Sequence, residues 1–422
     1  MSPIFRSLRI PNYRRYAAGM LVSNTGTWMQ RVAQDWLVLQ LSGGSGTALG
    51  ITTALQFLPM LLFGLLGGVV ADRYPKGRIL ALTNAFMGLV ALTMGVLVLS
   101  GTAAVWHVYA LAFALGAGAA LDTPARQAFV VELVGREDLP NAVGLNSASF
   151  NGARIVGPAV AGLLIVALGG TGWVFVLNAL TYLAPLSALR RLDTAALHPT
   201  ELAARSGGQV REGLAYVRGR PDLTAVLLVV FFTGTFGMNF QLTNALMATA
   251  EFGKGAREYG LLGSIMAVGS LTGALLGARR PRVRLRLVVG AAASFALLEI
   301  GAGLMPTYPL YAVALLPAGV AALTTMTSAN ALLQLSVAPA MRGRVMALYV
   351  VVFFGGTPLG APLIGWIGQH YGPRWSLLGG GALAVAGVLG AAAWYVHTTR
   401  VTVRPHLRPR PHVAVEPRIM GA

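Results

Sequence analysis

Asn24, Trp28, Arg31 and Asp35 follow one another at spacings of four, three and four residues. On an α-helix those spacings place all four side chains on one stripe, with Thr27, Gln30 and Gln34 on the stripe beside it. An arginine and an aspartate one turn apart can form an ion pair. In a wet cavity they can instead hold a charged ligand, or take up and release a proton. The surrounding segment, residues 16–41, is otherwise apolar enough for a membrane helix. Facing hydrocarbon, these polar groups would go unsatisfied, so they must face the interior of a helix bundle or a water-filled cavity. A structural ion pair and a substrate- or proton-responsive pair are both open readings.

Other polar residues lie in apolar stretches. Glu299 sits near one end of a segment at 287–304, and Asn239, Gln241 and Asn244 occupy the segment at 223–247. With Asn24, Trp28, Gln30, Arg31, Gln34 and Asp35 they make up the candidate substrate and proton cavity. Residues 146–162 contain Arg154-Ile155-Val156-Gly157-Pro158 and end in Ala161-Gly162. Pro158 removes one intrahelical hydrogen bond, the glycines permit close helix contact, and Arg154 needs a partner. Asp122 and Arg126 stand at i, i+4 just beyond another apolar segment.

The composition says what kind of chain carries these residues. Of 422 residues, 55% are hydrophobic and only 11% charged, with a mean hydropathy of +0.66. A soluble domain carries about a quarter charged residues, so most of this surface must face lipid. The net charge of +18 is spread through the gaps between apolar runs, which argues against a nucleic-acid-binding protein and for a polytopic membrane protein. The absence of cysteine and a scatter of six histidines leave no metal-ligand cluster and no thiol nucleophile. The N-terminal basic flank (Arg6, Arg9, Arg14, Arg15) precedes a segment too long and too polar for a cleaved signal.

Twelve stretches meet the length of about 20 mostly apolar residues that a spanning helix needs. They are 16–41, 47–71, 79–100, 104–121, 139–168, 173–189, 223–247, 259–278, 287–304, 308–335, 346–368 and 375–397. With the N-terminus inside, 27 of the 32 Lys and Arg fall on the cytosolic side and three outside. That asymmetry predicts both termini in the cytosol of a multi-pass protein of the cytoplasmic membrane. The predicted organisation is an N-terminal six-helix bundle at 1–189, a cytosolic linker at 190–222 with an amphipathic helix at 209–220, a C-terminal bundle at 223–398, and a basic, disordered tail at 399–422. Internal matches support duplication. Thr25-Gly26-Thr27-Trp28 returns as Thr233-Gly234-Thr235-Phe236, Gly64 and Gly68 as Gly269, Gly273 and Gly277, and Gly157-Pro158 as Thr357-Pro358.

Between the second and third stretches lies Gly67-Gly68-Val69-Val70-Ala71-Asp72-Arg73-Tyr74-Pro75-Lys76-Gly77-Arg78. This charged hairpin closely resembles the signature loop of the major facilitator superfamily of transporters. The span-1 text from Ser23 to Val38, the stretch Asp122–Phe129 and the Gly-Pro motif at 152–162 resemble its enterobactin-exporter-like branch, which includes many drug exporters. The resemblance implies an all-α membrane fold of two pseudo-symmetric six-helix bundles that rock around a central site. It also implies that Asp72 latches the cytosolic ends of the bundles, helped by Gly68 and joined by Arg73, Lys76 and Arg78. There are departures: Ala161 replaces a usual glycine, 105–121 lacks the basic residue of proton-driven drug antiporters, and the loop at 279–286 has no acid matching Asp72. Arg31 and Asp35 are the available substitutes for a proton relay, and the latch is expected to be one-sided.

No Gly-rich phosphate loop ending in Gly-Lys-Ser/Thr occurs, and Lys76 and Lys254 are the only lysines, which argues against an ATP site. No cofactor, metal or enzymatic chemistry is expected. The expected function is proton-coupled export of a small amphipathic molecule (drug, siderophore or secondary metabolite) by a monomer in the lipid bilayer. An importer or lipid flippase on the same scaffold, or a non-transporting membrane sensor or scaffold, are the alternatives.

Overall fold

The structure is a computed structural model that describes residues 3–198, 209–278, 283–399, 401–406 and 412–417. A short 3-10 turn, Pro3–Arg9, leads into α1 (Pro11–Leu41), α2 (Gly46–Arg73), α3 (Lys76–Leu99), α4 (Val105–Ala167), α5 (Gly172–Thr181) and α6 (Leu183–Arg190). Then come α7 (Gln209–Arg218), α8 (Pro221–Phe232), α9 (Phe240–Leu246), α10 (Ala256–Ala278), α11 (Leu285–Gly303), α12 (Tyr308–Ser336), α13 (Pro339–Tyr371) and α14 (Pro373–Thr399). Two π-helical turns, Thr233–Gly237 and Met247–Glu251, flank α9 and join it to α8 in one membrane-length unit.

Ten helical stretches among the described residues are long and apolar enough to cross a membrane. α1 is not one of them, because its polar stripe lowers its hydropathy. α4, at 63 residues, would extend about 95 Å if straight, roughly three times the hydrocarbon thickness. It bends at Gly135, whose φ of +70° is open to glycine and strained for other residues. Twelve crossings require that α1 spans in spite of its polar stripe and that both arms of α4 cross. The break expected between 121 and 139 is therefore reduced to one glycine. Pro124 and Pro140 are absorbed into the helical arms on either side of it.

α1–α6 pack as one half and α8–α14 as the other. The repeated sequence words turn out to be repeated packing. In the first half a Cβ on Gly157 would meet the Trp28 Cβ at 2.5 Å and the Thr25 carbonyl at 3.1 Å, so α4 lies directly on α1. In the second half Gly356, beside Thr357-Pro358, lies equally close to Thr235. Gly269 and Gly273 of α10 abut the Leu316 and Val320 carbonyls of α12. The matching approach in the first half uses Gly67 against Ala120, while a Cβ on Gly64 would meet only Met60 of its own helix, at 3.9 Å. Small residues are what allow helix backbones to approach so closely.

α1 runs from the end of the chain toward Leu41. α13 ends and α14 begins at Tyr371–Pro373, beside the α1–α2 turn, so α14 runs back again. The molecule thus has a terminal face and a far face. The halves are joined on the far-face side. The Gln369 side chain accepts hydrogen bonds from Ser45 Oγ (2.8 Å) and the Thr47 N–H (3.0 Å), and a Cβ on Gly46 would sit 2.6 Å from the Gly365 carbonyl oxygen. Ser264 Oγ accepts from the Ala159 N–H at 3.1 Å and donates to the Ile155 carbonyl at 2.5 Å, tying α10 to α4.

Of the linker, α7 forms as expected, but it docks on α13. Gly213 and Val217 are its buried stripe, Leu214 is exposed, and Glu212 pairs with Arg344 at 3.0 Å. After α14, β1 (Val401–His406) pairs antiparallel with β2 (His412–Pro417), with His406 opposite His412. These two stretches are strands where the sequence predicts disorder. Residues 279–282 of the second basic loop lie outside the described residues.

Candidate functional site

Between the halves lies a cavity of about 640 Å³. The far-face seam closes it on one side. Its lining continues along α12 and α13 to Asn330 and Tyr349, on the side of the terminal face. Arg31 is the deepest charge that α1 presents to it. The guanidinium lies 4.6 Å from the centre of the Trp28 ring and 5.8 Å from that of Phe57, so two π faces take the place of a carboxylate. Arg154 lines the cavity from the second arm of α4, one turn before Pro158, which lines it too. From the other half come Gln241, Asn244 and Tyr259. Asn244 Oδ1 accepts a 2.6 Å hydrogen bond from the Tyr311 hydroxyl, which fixes its amide.

Asp35 behaves differently from the expectation of an intrahelical pair with Arg31. Its carboxylate is buried and accepts two hydrogen bonds from the opposite half, from Tyr259 Oη at 2.6 Å and Gln241 Nε2 at 2.7 Å. No ion pair joins it to Arg31 among the described residues. The possible partner one turn away loses to partners across the seam. Tyr259 is the functional residue the sequence reading missed; a tyrosine at the start of an apolar segment carries no periodic signal.

Other expected cavity residues are placed elsewhere. Gln30 is buried against Asn178 of α5. Gln34 is buried in the bundle, with its Nε2 unpartnered. Asn24 accepts from Arg126 at 3.3 Å. Asn239 turns back on its own chain and donates to the Thr235 and Phe236 carbonyls, which stabilises the π turn. Glu299 is packed where a Cβ on Gly237 or Gly380 would approach its carboxylate oxygens, away from the cavity lining. The signal for all five was polarity in an apolar helix, which cannot separate a cavity wall from a bundle interior.

Asp122 and Arg126, at i, i+4, form an ion pair. Asp122 also accepts from Thr83 Oγ1 (2.9 Å) and Asn84 Nδ2 (3.0 Å), so the network ties α1, α3 and α4 together. In the signature loop Asp72 is half-buried at the end of α2, and Gly68 stands one turn before it. Lys76 pairs with Glu132 of the same half at 2.9 Å, both largely buried, while Arg73 and Arg78 are exposed. Gly162 and Gly260, with Pro158, form the α4–α10 contact that continues the far-face seam. Groups of His, Cys, Asp or Glu able to hold a metal are absent among the described residues.

Comparisons with known proteins agree with this geometry. Residues 2–417 match the model of the transmembrane secretion effector family. The chain is 28% identical to the enterobactin exporter EntS of Shigella boydii over 360 residues, 83% of this chain and 84% of that one. It is 33% identical to the staphyloferrin A transporter of Staphylococcus aureus over 141 residues, a third of this chain and 35% of that protein's length. Among solved structures, a D-xylose–proton symporter superposes with a TM-score of 0.71 at 15% identity, over 89% of this chain and 97% of that one. A bacterial homologue of ferroportin in an inward-facing state superposes with a TM-score of 0.68 at 15% identity, over 92% and 98%. Sequence match, helical architecture and central cavity together lead to one conclusion: this chain belongs to the transmembrane secretion effector family of the major facilitator superfamily, as a non-enzymatic, multi-span secondary transporter.

Proposed function

We propose that the chain is a twelve-span, proton-coupled exporter of small amphipathic molecules in the cytoplasmic membrane, with both termini cytosolic. The distribution of Lys and Arg supports that orientation. The far face is then the outer face, and the structure is an inward-open state with its outer seam closed. The names of the relatives, an enterobactin exporter and a staphyloferrin A transporter, support export of a siderophore-like cargo.

The observation that carries the reading is Asp35 at the seam. An ionised carboxylate accepting from Tyr259 and Gln241 makes charge-assisted hydrogen bonds, each stronger than a neutral one. The outer closure is therefore tightest when Asp35 is charged. A proton arriving from the outside cancels that charge and loosens the seam. Release of the proton to the cytosol restores it. Alternating access follows when cargo and proton bias the same two arrangements of the halves.

The test is reconstitution into liposomes with an imposed pH gradient and a broad panel of amphipathic cargoes. Gradient-driven movement of at least one cargo, lost in Asp35→Asn, is expected. Movement that ignores the gradient, or no movement of any cargo, would overturn the reading.

A further inference from the structure

The cavity contains two arginines and no acid. Arg31 reaches it from α1 and Arg154 from α4, and none of the described lining residues is Asp or Glu. Neither arginine has a carboxylate within ion-pair distance among the described residues. Asp35, the acid nearest Arg31 in sequence, gives its bonded oxygen to Tyr259 and Gln241. Even if Asp35 cancelled one positive charge, the other would stay. Glu299 packs by Gly237 and Gly380, outside the lining.

A charge held inside a membrane protein is expensive unless something answers it. Arg31 is partly answered by the faces of Trp28 and Phe57. Among the described residues no aromatic face answers Arg154, and the like charge of Arg31 acts on it. The rest of the lining joins neutral polar groups (Gln241, Asn244, Asn330) to aromatic and thioether ones: Tyr349 stacks on Phe353 at 6.1 Å, and Met238 and Met266 lie on the same lining.

We infer that the cavity selects anions, and that its cargo is a molecule with an aromatic or apolar body and one or two acidic groups seated between Arg31 and Arg154. Guanidinium groups suit such a ligand because each offers a planar fork of donors to a carboxylate or phenolate. This inference rests on the transporter reading for the word cargo, but the anion site itself does not.

Two xanthene dyes of similar size and opposite charge separate the outcomes: fluorescein, an anion, and rhodamine 123, a cation. Binding to the purified full chain in detergent is followed by fluorescence polarisation. Wild type is expected to bind fluorescein at least about tenfold tighter than rhodamine 123. Arg31→Gln and Arg154→Gln should each weaken fluorescein by about tenfold or more, the loss of one charge-assisted hydrogen bond. Arg154→Lys, which keeps the charge, should retain part of the preference and shows that a folded cavity is being read. Equal affinities, a preference for the cation, binding of neither dye, or fluorescein binding indifferent to both glutamine variants would overturn the inference. Parallel uptake into liposomes tells the two claims apart. Anion binding without transport leaves the site standing and removes the exporter reading, whereas gradient-driven transport with no anion preference does the reverse.

Discussion

At the scale of residues, the proposed proton coupling makes the far-face closure depend on the charge of Asp35, which accepts from Tyr259 and Gln241 across the seam. Asp35→Asn keeps an oxygen that can accept from Tyr259 but removes the charge. The variant should fold and bind cargo, yet its transport should fall at least about tenfold and no longer follow the pH gradient, as read by flux into liposomes at matched and unmatched pH. Tyr259→Phe removes one charge-assisted donor, a loss of about 1.5–3 kcal/mol. If the seam bears that loss, the balance between closed and open outer faces shifts about 10- to 100-fold, which spin-label distances across the seam can report. The span-1 stripe was legible because charge is rare in membrane helices and a spacing of three or four residues fixes one face. Its partners were not legible, since Tyr259 is 224 residues from Asp35 and local spacing says nothing about such a pairing. The same limit explains Gln30 and Asn24, whose side-chain oxygens accept from Asn178 and Arg126 of their own half.

At the scale of elements, glycine decides how closely helices lie. A Cβ on Gly157 would stand 2.5 Å from that of Trp28, so Gly157→Ala must push the second arm of α4 off α1. Trp28 carries Arg31 on its ring, and Arg154 is on the arm that moves. The substitution is therefore expected to weaken cavity binding by about tenfold while lowering stability by roughly 1–3 kcal/mol, the usual range for overpacking. Ligand titration and thermal unfolding of the purified variant read the two effects. Gly135 is a different case. Its φ is +70° with ψ 179°, a region almost confined to glycine, so Gly135→Ala strains the bend by roughly 1–3 kcal/mol without touching the cavity, and should lower the melting temperature with dye affinity preserved. The Gly-Pro word at 157–158 was legible as a kink or close contact. The continuity of α4 was not, because the charged stretch at 122–138 reads as a loop between two spans, whereas it is helical on both sides of Gly135.

At the scale of the molecule, duplication was legible in short repeated words, and the structure shows their physical basis. Gly157 on Thr25–Trp28 and Gly356 on Thr235 are one helix contact made twice. The division into two halves follows from that repetition, but which ends of the halves meet cannot be read from it. Packing words within a half are present in every state of an alternating machine. Only contacts between halves change, and those are made by residues far apart in sequence. Ser45 and Gln369 illustrate this, joined at 2.8 Å although 324 positions apart. They also offer a direct control over the cycle, because the chain has no cysteine of its own. A Ser45→Cys, Gln369→Cys pair should cross-link under oxidation and hold the far face shut. If alternating access is the mechanism, the oxidised protein should lose nearly all transport while still binding fluorescein from the terminal face, and a reductant should restore flux. Full transport in the cross-linked state would mean that cargo crosses without the seam opening, and the two halves would then not be the moving parts.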